Sequence, residues 1–296
     1  MNKDLLSLIS SSMSNFSKGQ KAIANFIINH YDKAAFMTAS KLGITVGISE
    51  STVVRFATKI GYEGYPQLQR ALQELIRNRL TAVQRMEVTN DQIGGSDVLA
   101  KVLSSDIENI RRTLDEASTK SFTATVDALC SAHTIYILGI RSASSLAHFL
   151  YFYLNHIFDD VRVINTNSSS EMFEQILRIK KGDVFVGITF PRYSQRTFNG
   201  AKFASDNGAK VIAITDSEEA PISAISDTLL LARSDMASFV DSLVAPLSLI
   251  NALIVAVGLR KKNEISTTFS RLEKIWDVYN VYEKTEGTND IDLKKI

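Results

Sequence analysis

From residue 134 onward the chain alternates between two periodicities, and this alternation restricts its fold more than any other feature. Short apolar, β-branched runs recur at 134–138, 161–164, 183–189, 210–214 and 228–231. The gaps between them, near 143–158, 170–179, 195–206 and 239–260, carry the longer apolar spacing of helices. Strands that are apolar throughout are buried on both faces, and strands separated by helices pair in parallel. The expectation is a five-stranded parallel sheet flanked by helices.

Such sheets bind ligands beyond the carboxyl ends of their strands. Three of the expected strand ends share one chemistry. The first run empties into Gly139-Ile140-Arg141-Ser142-Ala143-Ser144-Ser145, and the second into Asn165-Thr166-Asn167-Ser168-Ser169-Ser170. The third empties into ITFPRYSQRT, residues 188–197, with Thr189, Arg192, Tyr193, Ser194, Arg196 and Thr197. Each lies at a helix start, where unpaired backbone N–H groups and the positive dipole end favour anions. Hydroxyls add donors and also suit sugar hydroxyls. The plainer alternative is that these residues are N-caps. Arg192 either neutralises a phosphate or carboxylate, or pairs with an acid on a neighbouring subunit.

The front of the chain differs in charge and in periodicity. Residues 1–86 hold 11 Lys and Arg against 5 Asp and Glu, whereas the remainder holds 22 against 27. A basic front suits a polyanion. Ser17 can cap a helix from Lys18 to about Tyr31 whose apolar face is Ala22, Ile23, Phe26 and Ile27. Thr38 can cap a short helix ending near Val46, and Gly47 supplies a turn. Ser49 can cap a second helix from Glu50 to Ile60, stopped by Gly61. Two short helices joined by a glycine turn form a helix-turn-helix pattern. Val53, Phe56, Ala57 and Ile60 share the inward face. Ser51, Thr52, Arg55 and Lys59 point outward, where they could reach base edges or phosphates in a major groove. An amphipathic hairpin with a solvated face fits the same pattern.

Between these parts, residues 67–86 continue as helix and 87–96 break it with two glycines. A further amphipathic helix from Asp97 to about Ala117 carries Val98, Val102, Leu103, Ile107, Ile110 and Leu114. The expected division is a head at 1–80, a helical linker at 81–119, an α/β domain at 120–283 and a flexible tail at 284–296. The single Cys130 excludes an intramolecular disulfide framework and fits a reducing cytoplasm. No apolar run reaches the ~18 residues of a membrane span, and the N-terminus lacks a signal-peptide core. His30, His133, His148 and His156 form no metal-like cluster, and no phosphate-loop or dinucleotide fingerprint occurs, so neither metal nor cofactor is expected. Glu171 and Glu174 follow the second serine cluster, but acids at a helix start are expected from the dipole alone; no catalytic residue is assigned.

Two resemblances complete the reading. The run ISESTVVRFATKIGYEGYPQLQRAL, residues 48–72, resembles the N-terminal helix-turn-helix of RpiR-type transcriptional regulators. It implies an all-α, DNA-binding head, with Tyr62, Gly64 and Tyr65 as core and turn residues; the helix faces make Ser49, Ser51, Thr52, Arg55 and Lys59 the candidate DNA-facing set. Residues 137–142, 188–194 and 208–216 resemble the sugar isomerase (SIS) domain, which follows the head in that family. This implies a phosphosugar held by the turns after strands one and three, placing Ser142 and Ser144 at the first turn. Thr189, Tyr193, Ser194 and Thr197 fall at the second, and Arg192 beside them is the candidate for the anion. Departures exist. Against the commoner Ser-x-Ser-Gly-x-Thr form, Pro191 loses a hydroxyl and Arg192 replaces the glycine. After strand one, Arg141 replaces a frequent glycine and Ala143 a frequent serine. The implied protein is a homodimer or homotetramer that reads an operator in double-stranded DNA and responds to a sugar effector, away from membranes. The helices near 239–260 and 264–283 carry many apolar residues and are candidate subunit contacts or, equally, intrachain core. The rival reading is a sugar-phosphate isomerase with an accessory helical domain.

Overall fold

The computed structural model describes residues 5–77, 97–166, 168–236 and 240–282. Residues 78–96 and the expected tail, 284–296, lie outside these. The head consists of α1 (Leu5–Ser11), α2 (Lys18–Asn29), α3 (Tyr31–Ala34), α4 (Ala39–Val46), α5 (Glu50–Lys59) and α6 (Tyr65–Arg77). Ser17 and Gln20 form a reciprocal capping box at α2, and the Lys41 N–H donates to Thr38 Oγ1 at 3.1 Å at the start of α4. Gly47 ends α4 with φ 70°, a left-handed position that glycine adopts freely. Ile23, Ile27, Leu42, Val53, Phe56, Leu68 and Leu72 make one core, the inward face that the periodicity of α5 predicts. Tyr65 is buried there and its hydroxyl donates to Met37 O at 2.8 Å; burial pushes its pKa up.

The linker helix α7 (Val98–Glu116) leads to α8 (Thr119–Cys130) and then to the sheet. Its strands are β1 (Ile135–Gly139), β2 (Val161–Val163), β3 (Val184–Ile188), β4 (Lys210–Thr215) and β5 (Thr228–Leu231). They lie in the order β2-β1-β3-β4-β5, all parallel. Side chains alternate between two cores. Ile135, Ile137, Val184, Val186, Ile212 and Ile214 face α8, α9 (Ala143–Leu154) and α12 (Val244–Arg260). Tyr136, Leu138, Phe185, Val211 and Ala213 face α10 (Ser169–Ile176) and α11 (Gln195–Asp206). Burial on both faces is why the strands read as unbroken apolar runs. The last helix, α13 (Lys262–Val278), buries none of its residues.

Two features depart from the sequence expectation. The helix expected from 239 begins at Val244, because Ser242 turns its hydroxyl to Asp106 on α7 at 2.6 Å and accepts from the Val244 N–H. The linker helix is also turned opposite to its pattern. Its buried residues are Asn109 and Thr113, whereas Leu99, Leu103, Ile107, Ile110 and Leu114 are exposed. The polar side of α7 grips the segment leaving β5. Asn109 donates to Asp235 O at 3.3 Å, and Thr113 Oγ1 accepts from the Arg233 N–H at 2.8 Å. Arg112 pairs with Asp235, and Arg233 Nε donates to Glu116 at 2.6 Å. Met236, at the tip of that segment, packs against the core of the head.

Candidate DNA-reading face and effector crevice

The outward side of α5 carries exposed Ser51 and Arg55 with half-buried Thr52. The capping expected of Ser49 takes another form: its hydroxyl bonds Thr52 Oγ1 at 2.8 Å and Ser51 Oγ at 3.1 Å rather than a backbone N–H. Arg55 lies back along the helix, with Nε donating to Ser51 O at 3.2 Å. Lys59 is exposed like the rest of the outward set, but it is engaged within the head. Its ammonium donates to Asn15 O and to Gln20 Oε1 and sits 5.9 Å from the centre of the Phe16 ring. It ties α5 to the start of α2 and is therefore a brace within the head. The same neighbourhood brings up cations that the helix-turn-helix pattern does not single out. A Cβ on Gly19 would meet Ile48 at 3.2 Å and Thr52 at 3.7 Å, so the start of α2, with exposed Lys18 and Lys21, lies beside Thr52.

In the α/β domain, topology selects one place. Helix α9 leaves β1 toward one face of the sheet, and α11 leaves β3 toward the other. Strands β1 and β3 are neighbours in register, Gly139 beside Ile188. Adjacent parallel strands whose helices diverge open a crevice at their carboxyl ends, the switch point where such sheets take ligands. The first and third hydroxyl-rich turns both open onto this crevice, and the second, after edge strand β2, lies on the far side of β1.

After β1, a Cβ at Gly139 would come within 2.3 Å of Ala143 O, so glycine alone allows α9 to start this close to the strand. Ser142 precedes α9, exposed, and its side chain caps nothing. Ser144 spends its hydroxyl on Arg141 O at 2.6 Å and so braces the turn. After β3, buried Thr189 accepts from the Ser194 N–H at 3.1 Å, and Ser194 Oγ accepts from the Thr197 N–H at 3.2 Å. Ser194 is therefore the N-cap of α11. Thr197 has a deeper place than the pattern predicts: it is fully buried against Gly187, with Oγ1 making no hydrogen bond.

Arg141 and Arg192 both hold left-handed backbone, with φ 59° and 64°. A left-handed turn that glycine adopts freely is made here by arginine, and each turn carries a guanidinium. Sequence reasoning left out Asp216. It is buried at the end of β4 and accepts from the Tyr193 hydroxyl at 3.0 Å, which fixes the tyrosine ring over the second turn. The visible signal was a carboxylate directly after an apolar strand. The second serine cluster closes on itself: Ser168 caps α10, Ser168 and Ser170 share a hydrogen bond of 2.8 Å, and Thr166 binds Glu171. Glu171 is thereby held in a cap network.

Two family models match parts of this chain. The family model described as "Helix-turn-helix domain, rpiR family" covers residues 3–79, and that of the SIS domain covers 128–256. Relatives include the HTH-type transcriptional regulator HexR of Pseudomonas aeruginosa, 22% identical over 92% of this chain and 95% of that protein. HexR of Escherichia coli is 23% identical over 92% of this chain and 93% of its own length. Among solved structures, the sugar isomerase domain of an RpiR transcription factor from Sphaerobacter thermophilus superposes with TM-score 0.57 at 23% identity, covering 59% of this chain and 97% of that one. Vibrio vulnificus NanR complexed with ManNAc-6P gives TM-score 0.56 at 21% identity over 95% and 100%. With its helix-turn-helix head and its five-stranded SIS domain, the chain belongs to the RpiR family.

Proposed function

We propose that this chain is a cytoplasmic transcription regulator of carbohydrate metabolism that binds operator DNA through its head and a phosphorylated sugar, or a related anionic sugar, in its SIS crevice. The observation that carries the reading is the β1–β3 switch point, where two helix starts converge with Ser142 and Ser194 and two arginines in left-handed backbone. Unpaired N–H groups and guanidinium groups suit a phosphate. The hydroxyls of Ser142, Ser194 and Tyr193 suit the sugar. In the head, Ser51, Thr52 and Arg55 reach bases from the first turns of α5, and Lys18 and Lys21 meet the backbone. Named relatives are transcriptional regulators, and NanR was solved with ManNAc-6P, which makes phosphorylated sugars and amino sugars the first compounds to try.

The effector acts by binding two subunit arrangements unequally. Two-fold pairing of the chains would set the spacing of two heads on half-sites about one DNA turn apart. Binding rather than turnover is the reading favoured at this site: Glu171, which follows the second serine cluster, belongs to the turn after β2, across β1 from the crevice, and is bonded to Thr166. A proton transfer beside a carbonyl requires a base free to reach it.

A thermal-shift screen against phosphorylated sugars identifies the effector by a raised melting temperature. Incubation with the same compounds, followed by product analysis, separates sensing from isomerisation. Stabilisation without turnover, together with salt-sensitive binding to the DNA upstream of its own coding sequence, is the expected result. Turnover of a sugar phosphate with no DNA binding would replace this reading with the isomerase one.

A further inference from the structure

Helix α7 is built inside out. Its polar residues Asp106, Asn109, Arg112 and Thr113 face the domain and are bonded to Ser242, Asp235 and Arg233. Its apolar residues Val98, Leu99, Leu103, Ile107, Ile110 and Leu114 are between 38% and 75% exposed. An amphipathic helix of a lone globular chain turns its apolar stripe to the core. Here the polar contacts fix the opposite orientation, so the stripe cannot roll inward without breaking them.

The stripe has a pattern of its own. From Leu99 to Leu114 the apolar positions advance by four, four, three and four residues. Read backward from Leu114, they advance by four, three, four and four, so the row nearly mirrors itself about Ile107. A surface that reads almost the same in both directions suits a copy of itself across a two-fold axis. The charges beside it, Lys101, Glu108, Arg111 and Asp115, are of both signs, with Arg111 bonded to Glu108 at 3.1 Å. Mixed flanking charge suits neither a nucleic acid nor an anionic membrane surface. The six side chains leave open roughly 500 Å² of apolar surface, so a pair covers about 1,000 Å² from these alone, the threshold for a specific interface.

We infer that α7 pairs antiparallel with α7 of a second copy, the two Ile107 residues meeting at the two-fold axis. Leu103 then packs beside Ile110 of the other copy, and Leu99 beside Leu114, along about 22 Å of helix. The inference rests on the reading of the chain as a two-fold regulator and names the surface that joins the copies. It moves the contact away from α12 and α13, the candidates that the sequence offered. The opposite side of the same helix holds the segment leaving β5, so the joint between subunits is one layer from the sheet edge that carries the crevice.

The test uses the full chain. Sedimentation velocity is run on the natural protein, on Ile107→Glu, and on Leu259→Glu, which alters an exposed apolar residue of α12. Circular dichroism checks that each variant folds. In a Cys130→Ser background, Ile107→Cys and Leu259→Cys are oxidised and run on non-reducing gels. The expected result is an oligomer for the natural protein and for Leu259→Glu. Ile107→Glu should raise the dissociation constant at least about a hundredfold, and only Ile107→Cys should cross-link. An oligomer that survives Ile107→Glu and does not cross-link at 107 overturns the assignment of the surface and leaves the two-fold reading standing. A natural protein that is monomeric at micromolar concentration overturns both.

Discussion

Arg141 and Arg192 occupy backbone that residues with a Cβ adopt at a cost of about 1–2 kcal/mol each. Glycine would remove that cost, although its own conformational entropy offsets about half of it. Arg192→Gly should therefore change stability by no more than about 1 kcal/mol. It should also weaken binding of the phosphosugar found by screening about tenfold or more. A melting curve and a calorimetric titration on the same preparation check both halves; unchanged affinity would remove Arg192 from the site. On the DNA side, Arg55 is the exposed guanidinium in the first half of α5, resting against Ser51. Arg55→Ala should weaken operator binding by about 1–3 kcal/mol and leave effector affinity unaltered, as measured by fluorescence anisotropy and calorimetry. Lys59→Ala should act mainly on the stability of the head, since its ammonium bonds Asn15 and Gln20.

At the scale of elements, the strands were legible because sheet burial on both faces leaves an unbroken apolar run, and all five appear within a residue or two of their expected limits. The helix starts at Ser17, Thr38 and Ser194 were legible because a capping hydroxyl acts on a backbone N–H three residues away. Interactions across long stretches of chain were not. Periodicity tells which residues of α7 share a face, but not that Asp235 and Ser242, more than 120 residues on, hold its polar face inward. The engagement of Lys59 was not legible for the same reason: its partners lie in a different helix and turn. Asp216 was passed over because its role depends on Tyr193, in the turn after the neighbouring strand, reaching it.

One element contact also gives a pH prediction. Arg162 bonds Asp160 at both carboxylate oxygens, 2.8 Å each, and Thr134 adds a third donor at 3.0 Å, joining the start of β1 to β2. These hydrogen bonds, that to Arg162 foremost, hold the Asp160 pKa below its usual value, against a smaller opposing effect of burial. A depressed carboxylate contributes stability above its unfolded pKa, roughly 3.9, and loses it as pH falls through the folded value. Both side chains are more than a third exposed, so screening limits the effect to about 1 kcal/mol or less. Asp160→Asn should thus lower the urea midpoint at pH 7, and by progressively less as pH falls below about 3.9.

At the scale of the whole molecule, residues 233–236 join three parts. They leave β5 at the carboxyl edge of the sheet, are gripped by α7 through Asn109, Arg112 and Thr113, and touch the core of the head through Met236, while Asp106 of α7 holds Ser242. A ligand that shifts this edge has a short physical route to the reading helix. Asp235→Ala should then reduce the effector-induced change in DNA affinity while leaving effector affinity within about twofold of the natural protein, since coupling and binding are separate free energies.

The most direct measurement is DNA affinity by anisotropy, with and without the phosphosugar selected by thermal shift, for the natural chain and for Ser194→Ala. The account predicts an effector-induced change of about 5- to 150-fold in the natural chain. In Ser194→Ala the effector-free affinity should be unaltered and the response lost. A response of equal size in Ser194→Ala, or no response of the natural chain to any phosphorylated sugar, would contradict it.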